Sequence, residues 1–303
     1  MMTHTDNSPS PFHDGETAIH RSLGIESEVD QLGRRMIRDH LPQQHQKFYR
    51  ELPYLVVGSC DPEGHPSASI LTGSPGFISS SDLKTLRVDS APIPGDLLND
   101  NLAAGAAIGL LGIDLSRRRR NRATGRISQL NETDNGFTLA IDQAFGNCPQ
   151  FITKRDIEQW SQRVTTGRWS APITQNQFSP SDQRLIETAD TFFIASHYAG
   201  NSNTPTSGTD VSHRGGEPGF VQIENSNTLL IPDYAGNMHF NTLGNLSKNP
   251  RAGLLFIDFE SGEYLQLSGE IEIIWNSDEV KQFAGAQQLL RFRLQKSLSI
   301  KLK

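Results

Sequence analysis

The chain has 303 residues, enough for two domains, and its 35% hydrophobic and 20% charged content is that of an ordinary soluble globular protein. A formal net charge of −6 argues against a general binder of nucleic acid or of an anionic membrane. Cys60 and Cys148 stand in no CxxC or metal-ligand spacing and are too few for a disulfide framework, so a reducing, cytoplasmic setting is expected and no metal site.

Residues 1–25 are polar, carry no signal-peptide pattern, and read as a disordered tail. A helical lead-in follows over 26–52, with its periodic pattern broken at Pro42. A first domain is expected over 53–145. It opens with the apolar strand YLVVGS (54–59), holds one helical stretch, GDLLNDNLAAG (95–105), and no apolar run in it is long enough to span a bilayer. The run SRRRRNR (116–122), with Arg117 to Arg120 at its centre, reads as a solvated or ion-paired hairpin; docking of a phosphate of a second nucleotide, such as a reduced nicotinamide cofactor, is the alternative. Residues 146–190 are connective and hold Cys148, a candidate for redox work in FGNCPQ, and a helix near 179–190 with Ser179 or Ser181 as its N-cap. A second domain is expected over 191–295, from FFIASH (192–197) to the alternating strand EYLQLSGEIEII (263–274), and a C-terminal tail over 296–303. Its loop NSNTPTSGT (201–209) reads as a surface insertion, or as a lid over the neighbouring DVSHRGG.

The two domains are one unit written twice. LLGIDLSRRRRNRATGRI (110–127) lies over LLFIDFESGEYLQLSGEI (254–271), GSPGF (73–77) over GEPGF (216–220), and YLVVGS over FFIASH. Many short strands with one helix per copy predict a mainly β fold of small barrels, which hide their sheet edges.

Differences between the copies point to chemistry. Ser212, His213, Arg214 and Gly215 lie over Ser69, Ile70, Leu71 and Thr72, and Asn241 lies over Leu97. The sister copy is built without His213, Arg214 or Asn241, so these residues are expected to serve a ligand. Arginine matches phosphate or carboxylate oxygens, successive glycines open a nest of backbone N–H groups, and Asn241 and Thr242 add donors at a helix start. A phosphorylated small molecule fits; an Arg214 pair with Glu217 or Asp210 is the purely structural alternative. A serine hydrolase does not fit, because Ser212 and His213, adjacent on a strand, point to opposite faces.

The segments DVSHRGGEPGF, TLLIPDYAGNMHFNTLGNLSKNPRAGLLFIDF (228–259), GLLGIDLSRRRRNR and FGNCPQFI together resemble the pyridoxamine 5′-phosphate oxidase-like, FMN-binding split-barrel family, in its subgroup with two tandem barrels. The resemblance implies a mainly β, α+β chain of two tandem split β-barrels with short flanking helices, the first barrel holding a degenerate site and the second binding FMN. It places Ser212, His213, Arg214 and Gly215 along the phosphate and ribityl chain, and Asp233, Tyr234, Asn241 and Thr242 near the isoalloxazine or phosphate. Many relatives carry a lysine where this chain has Asn241 or Thr242. His213 is the candidate catalytic residue, contacting the flavin or giving a proton to the substrate. The implied function is an FMN-dependent oxidoreductase acting on a small molecule, with a nicotinamide or a separate reductase as electron donor, in a homodimer. A flavin-binding carrier without turnover and a haem-binding barrel are the alternatives.

Overall fold

A computed structural model describes residues 9–131, 136–201 and 204–303. In chain order the elements are helices α1 (Asp14–Ser22), α2 (Glu26–Met36) and α3 (Gln43–Glu51), then strands β1 (Tyr54–Cys60), β2 (Pro66–Thr72), β3 (Ile78–Ser79) and β4 (Thr85–Val88). Helix α4 (Leu98–Asn101) leads to β5 (Ala107–Asp114), β6 (Arg119–Leu130) and β7 (Phe137–Asn147). The connection holds α5 (Glu158–Thr166), β8 (Ile173–Gln175) and α6 (Pro180–Thr188). The second unit contains β9 (Thr191–Tyr198), β10 (Gly208–Gly215), β11 (Gln222–Asn225), β12 (Thr228–Tyr234), α7 (Asn241–Lys248), β13 (Arg251–Ile257), β14 (Tyr264–Trp275) and β15 (Ala286–Ile300).

The strands form two antiparallel sheets with orders β2-β1-β5-β6-β7-β4-β3 and β10-β9-β13-β14-β15-β12-β11. These are the same path walked twice, and β8 adds to β15. The expected tandem split barrels with flanking helices are the observed fold. Pairing corrects one detail of the repeat: Val57 faces Leu110 while Ile194 faces Leu254, so Tyr54–Ser59 correspond to Thr191–Ser196, one residue earlier than the apolar match suggested.

Each barrel has its own core, with Leu55, Val57, Leu110 and Leu139 in the first and Phe192, Ile194, Leu254 and Phe292 in the second. The opposite faces of the same strands build a third core between the barrels, from Val56, Ile70, Leu111, Phe193, Val211 and Leu255. This is why the strands read as continuous apolar runs: both faces are buried. Glycine sets the closeness of the two barrels. A Cβ on Gly109 of β5 would come within 2.9 Å of Asp210 Cα on β10, and one on its counterpart Gly253 of β13 within 2.6 Å of Ser67 Cα on β2.

The N-terminal reading needs correction over residues 9–25, which are ordered; residues 1–8 lie outside the described residues. Helix α1 starts with a capping box between His13 and Glu16 and crosses α7 where Gly15 and Gly244 let the backbones meet. His13 stacks on Tyr198 with ring centroids 4.1 Å apart and donates to Asn245 at 3.0 Å. The anchors are polar residues and a glycine, which a hydrophobicity reading takes for tail. The C-terminal residues 296–300 likewise continue β15 rather than forming a tail, with Leu298 buried between the barrels. Helix 95–105 shortens to one turn, whereas Ser179 caps α6 as expected and α7 stops before Pro250.

Replacing Gly109 by alanine should destabilise the protein by about 1–3 kcal/mol, the cost of overpacking against backbone that cannot yield. Gly236→Ala, where an added Cβ meets nothing, should stay within about 0.5 kcal/mol. Urea unfolding of the two variants checks this.

Candidate functional site

An open cleft with an internal volume of about 120 Å³ lies where the second barrel faces β6 and the segment after β7 of the first. Ser212, His213, Arg214, Gly215, Asp233, Tyr234, Asn241 and Thr242 all line it. The structure also brings in Arg120, Arg122, Cys148 and Phe151 from the other side. Only alternate residues of the arginine run turn inward. Arg117 is exposed and pairs with Glu51 and Asp114, and Arg119 packs over the Phe48 ring at 4.6 Å.

His213 is the hub. Its side chain is buried between the barrels beside Phe193, and Arg120 Nη1 donates to its Nδ1 at 3.0 Å. A guanidinium only donates, so Nδ1 is the acceptor and the proton sits on Nε2. Nε2 is buried and has no hydrogen-bond partner among the described residues. Burial, and then the charges of Arg120, Arg214 and Arg155, holds the His213 pKa well below its usual value. The ring is therefore neutral near pH 7. In this state the imidazole presents an N–H donor at Nε2.

The cations around it are matched one by one, with one exception. Arg214 pairs with Asp233 at 2.9 Å rather than with Glu217 or Asp210, and Asp233 also accepts from Gln288. Arg122 meets Asp210 at 3.2 Å and donates to Asn241 Oδ1 at 2.9 Å. Arg155 pairs with Asp190. Arg120 donates to the Cys148 carbonyl at 2.7 Å and to His213, and among the described residues it has no carboxylate within 4.0 Å. Burial and the neighbouring Arg122 and Arg214 bring its pKa down to about 10, so it keeps its charge at neutral pH. A half-buried guanidinium without a counterion, beside an unfilled N–H, is an anion site in waiting.

Other expected residues serve the framework. Ser212 and Thr242 share a hydrogen bond of 2.9 Å, and Ser212 also donates to Asp210 at 3.2 Å. Asn241, first residue of α7, donates to Glu16 of α1. Glu16 is 3% exposed, and burial pushes its pKa up to about 8 despite hydrogen bonds from His13 N–H and Asn241. Tyr234 stacks on Phe151, with ring centroids 5.1 Å apart. The described part of the loop 201–209 borders a separate recess beside Asp210 and Asn245, not this cleft.

The equivalent place in the first barrel is filled. Pairing puts Tyr264 where β6 has Arg120 and Gln266 where it has Arg122. Tyr264 donates to the buried Asp96, which also accepts from Ser69 at 2.6 Å, and Gln266 donates to the Ala68 carbonyl at 2.8 Å. Ile70 and Leu71 stand in the apolar cores where His213 and Arg214 would be.

Residues 179–298 match the family model described as pyridoxamine 5′-phosphate oxidase. That span is the second barrel with its entry helix α6, and this part of the chain is similar to that family. Solved structures similar to the chain include a variant of HupZ from Group A Streptococcus, at 12% identity and TM-score 0.32, covering 40% of this chain and 98% of that one. An FMN-binding protein from Syntrophomonas wolfei is 12% identical at TM-score 0.28, covering 39% and 88%. A FAD-binding protein from Mesorhizobium loti is 10% identical at TM-score 0.31, covering 44% and 100%. No curated protein sequence matches. Among the described residues, no helix is long and apolar enough to cross a membrane.

The Glu16 carboxyl gives a signed pH dependence. Its folded pKa of about 8 lies above the ordinary 4.5, so between these values the folded chain holds a proton the unfolded chain has released. Stability from this group is therefore lost as pH rises through that window. Glu16→Gln should gain stability relative to the parent between about pH 5 and pH 8. Urea midpoints across that range measure it; His213, whose lowered pKa acts in the opposite sense below 6.5, is common to both proteins and cancels.

Proposed function

We propose that the cleft binds one FMN per chain and that the protein is an FMN-dependent oxidoreductase acting on a small molecule, with a nicotinamide or a separate reductase as electron donor. The observation that carries the reading is Arg120, which among the described residues is the cleft cation with no carboxylate within 4.0 Å, next to the Nε2–H of His213. One phosphate matches one free guanidinium, which favours a mononucleotide over a dinucleotide. The family match of the second barrel and the sequence resemblance support a flavin in this position.

In this reading Arg120 binds the phosphate and His213 donates from Nε2. The start of α7, with Asn241 and Thr242, adds its positive end, while Arg122, pinned by Asp210, keeps that helix start in place. Bound flavin supplies electron transfer in one- or two-electron steps, and the protein supplies binding, orientation and exclusion of water. The buried cations beside the site favour an electron-rich, reduced ring. Haem is the weaker reading, since His213 offers its one lone pair to Arg120 and stands among guanidinium groups that repel a metal cation. The residues fit a carrier without turnover equally at the phosphate, and turnover separates the two. A homodimer and a cytoplasmic setting belong to the same proposal.

Fluorescence titration with FMN and with riboflavin tests it. The wild type should prefer FMN. Arg120→Met should weaken FMN about ten- to a hundredfold, the worth of one charge-assisted hydrogen bond, and leave riboflavin affinity nearly unchanged. Equal loss for both ligands would place the phosphate elsewhere.

A further inference from the structure

Beyond Arg120, the charged side chains that line the cleft are paired among the described residues. Arg122, Arg155 and Arg214 are each matched to an aspartate, and Asp233 and Asp210 are matched in turn. Towards the mouth the lining is Phe151, Tyr234, Met238 and Phe240, with Cys148 and Gln150 beside them. Phe151 and Met238 are 42% and 53% exposed.

The backbone at this mouth is strained. Among the described residues, Phe151, Met238 and Phe240 hold left-handed conformations, with φ of 61°, 60° and 56°. For a residue with a Cβ this costs roughly 1–3 kcal/mol, and such strain collects at ligand clamps. Phe151 sits in the irregular segment after β7, and its ring lies 19° from parallel to Tyr234 across the cleft. Two rings in contact leave no room for a third. A small swing of Phe151, towards backbone angles that relieve its strain, would open a flat slot with an aromatic wall on each side.

Resting on the flavin reading, we infer that the cleft takes a single phosphate, that of the flavin, and that the second molecule it admits is an uncharged planar ring stacked by Phe151 and Tyr234. A phosphorylated substrate such as pyridoxamine 5′-phosphate would need a second free cation, which the described residues do not provide. Phe151 is then a specificity-determining residue supplied by the segment between the barrels.

The test uses the FMN-loaded full chain, with the visible flavin band as readout and two probes, duroquinone and pyridoxamine 5′-phosphate. Duroquinone is flat, uncharged and fully substituted, so Cys148 has no open ring position to add to. It should perturb the band saturably. Pyridoxamine 5′-phosphate should leave the band unchanged or displace FMN into the filtrate. Phe151→Ala should weaken duroquinone roughly two- to tenfold, the range for one aromatic stacking contact, and Phe151→Tyr should restore it. Pyridoxamine 5′-phosphate bound alongside retained FMN, no response to duroquinone, or a response indifferent to Phe151 would each overturn the inference. A protein that takes up no FMN at all would show so before any probe is added, and would fail the flavin reading itself.

Discussion

The near-contact of backbone with backbone at Gly109 and Gly253 is the constraint from which the rest of the molecule follows. With a Cβ at either position, β5 could not lie against β10, nor β13 against β2, at the observed separation. That closeness buries the outward faces of both sheets in one shared core. It also sets β6 of each copy over the β2-type strand of the other, so that Arg120 reaches His213 across the seam. The site is a property of the interface; neither barrel contains it alone.

A pseudo-symmetric interface offers two such places, and the chain has resolved them in opposite ways. On one side Tyr264, Gln266, Asp96 and Ser69 satisfy one another, and Ile70 and Leu71 fill the space, leaving a packed and hydrogen-bonded interior. On the other, arginines, aspartates and a neutral histidine are held in partial burial, with Arg120 lacking a carboxylate and His213 Nε2 lacking a hydrogen-bond partner among the described residues. Such an arrangement is costly for stability, and the sister side shows that the fold does not require it. Helix α1 adds a further layer, since Glu16 holds Asn241, which in turn receives Arg122.

Much of this was legible in the sequence because the chain carries its own control. Comparing the copies singled out His213, Arg214 and Asn241, and all three line the cleft. What the comparison could not show was pairing. Arg214 has its own aspartate, whereas the free cation is Arg120, hidden in an arginine run that reads as solvated surface. The signal was present: strand alternation after the hairpin turn sends Arg120 and Arg122 to the face opposite Arg119. The partner for that face comes from the other copy, and sequence periodicity carries no such information. The N-terminal segment was missed for a different reason, because His13, Gly15 and Glu16 anchor it by a cap, a ring stack and a close helix crossing rather than by apolar residues.

The measurement that bears most directly on this account is the number of FMN molecules bound per chain, by calorimetric titration of the purified protein. One equivalent, lost from the same concentration range on Arg120→Met, is the predicted result. Two equivalents would mean that the Tyr264 and Asp96 side of the interface is open after all, and none would mean that the unmatched Arg120 and His213 serve something other than a flavin.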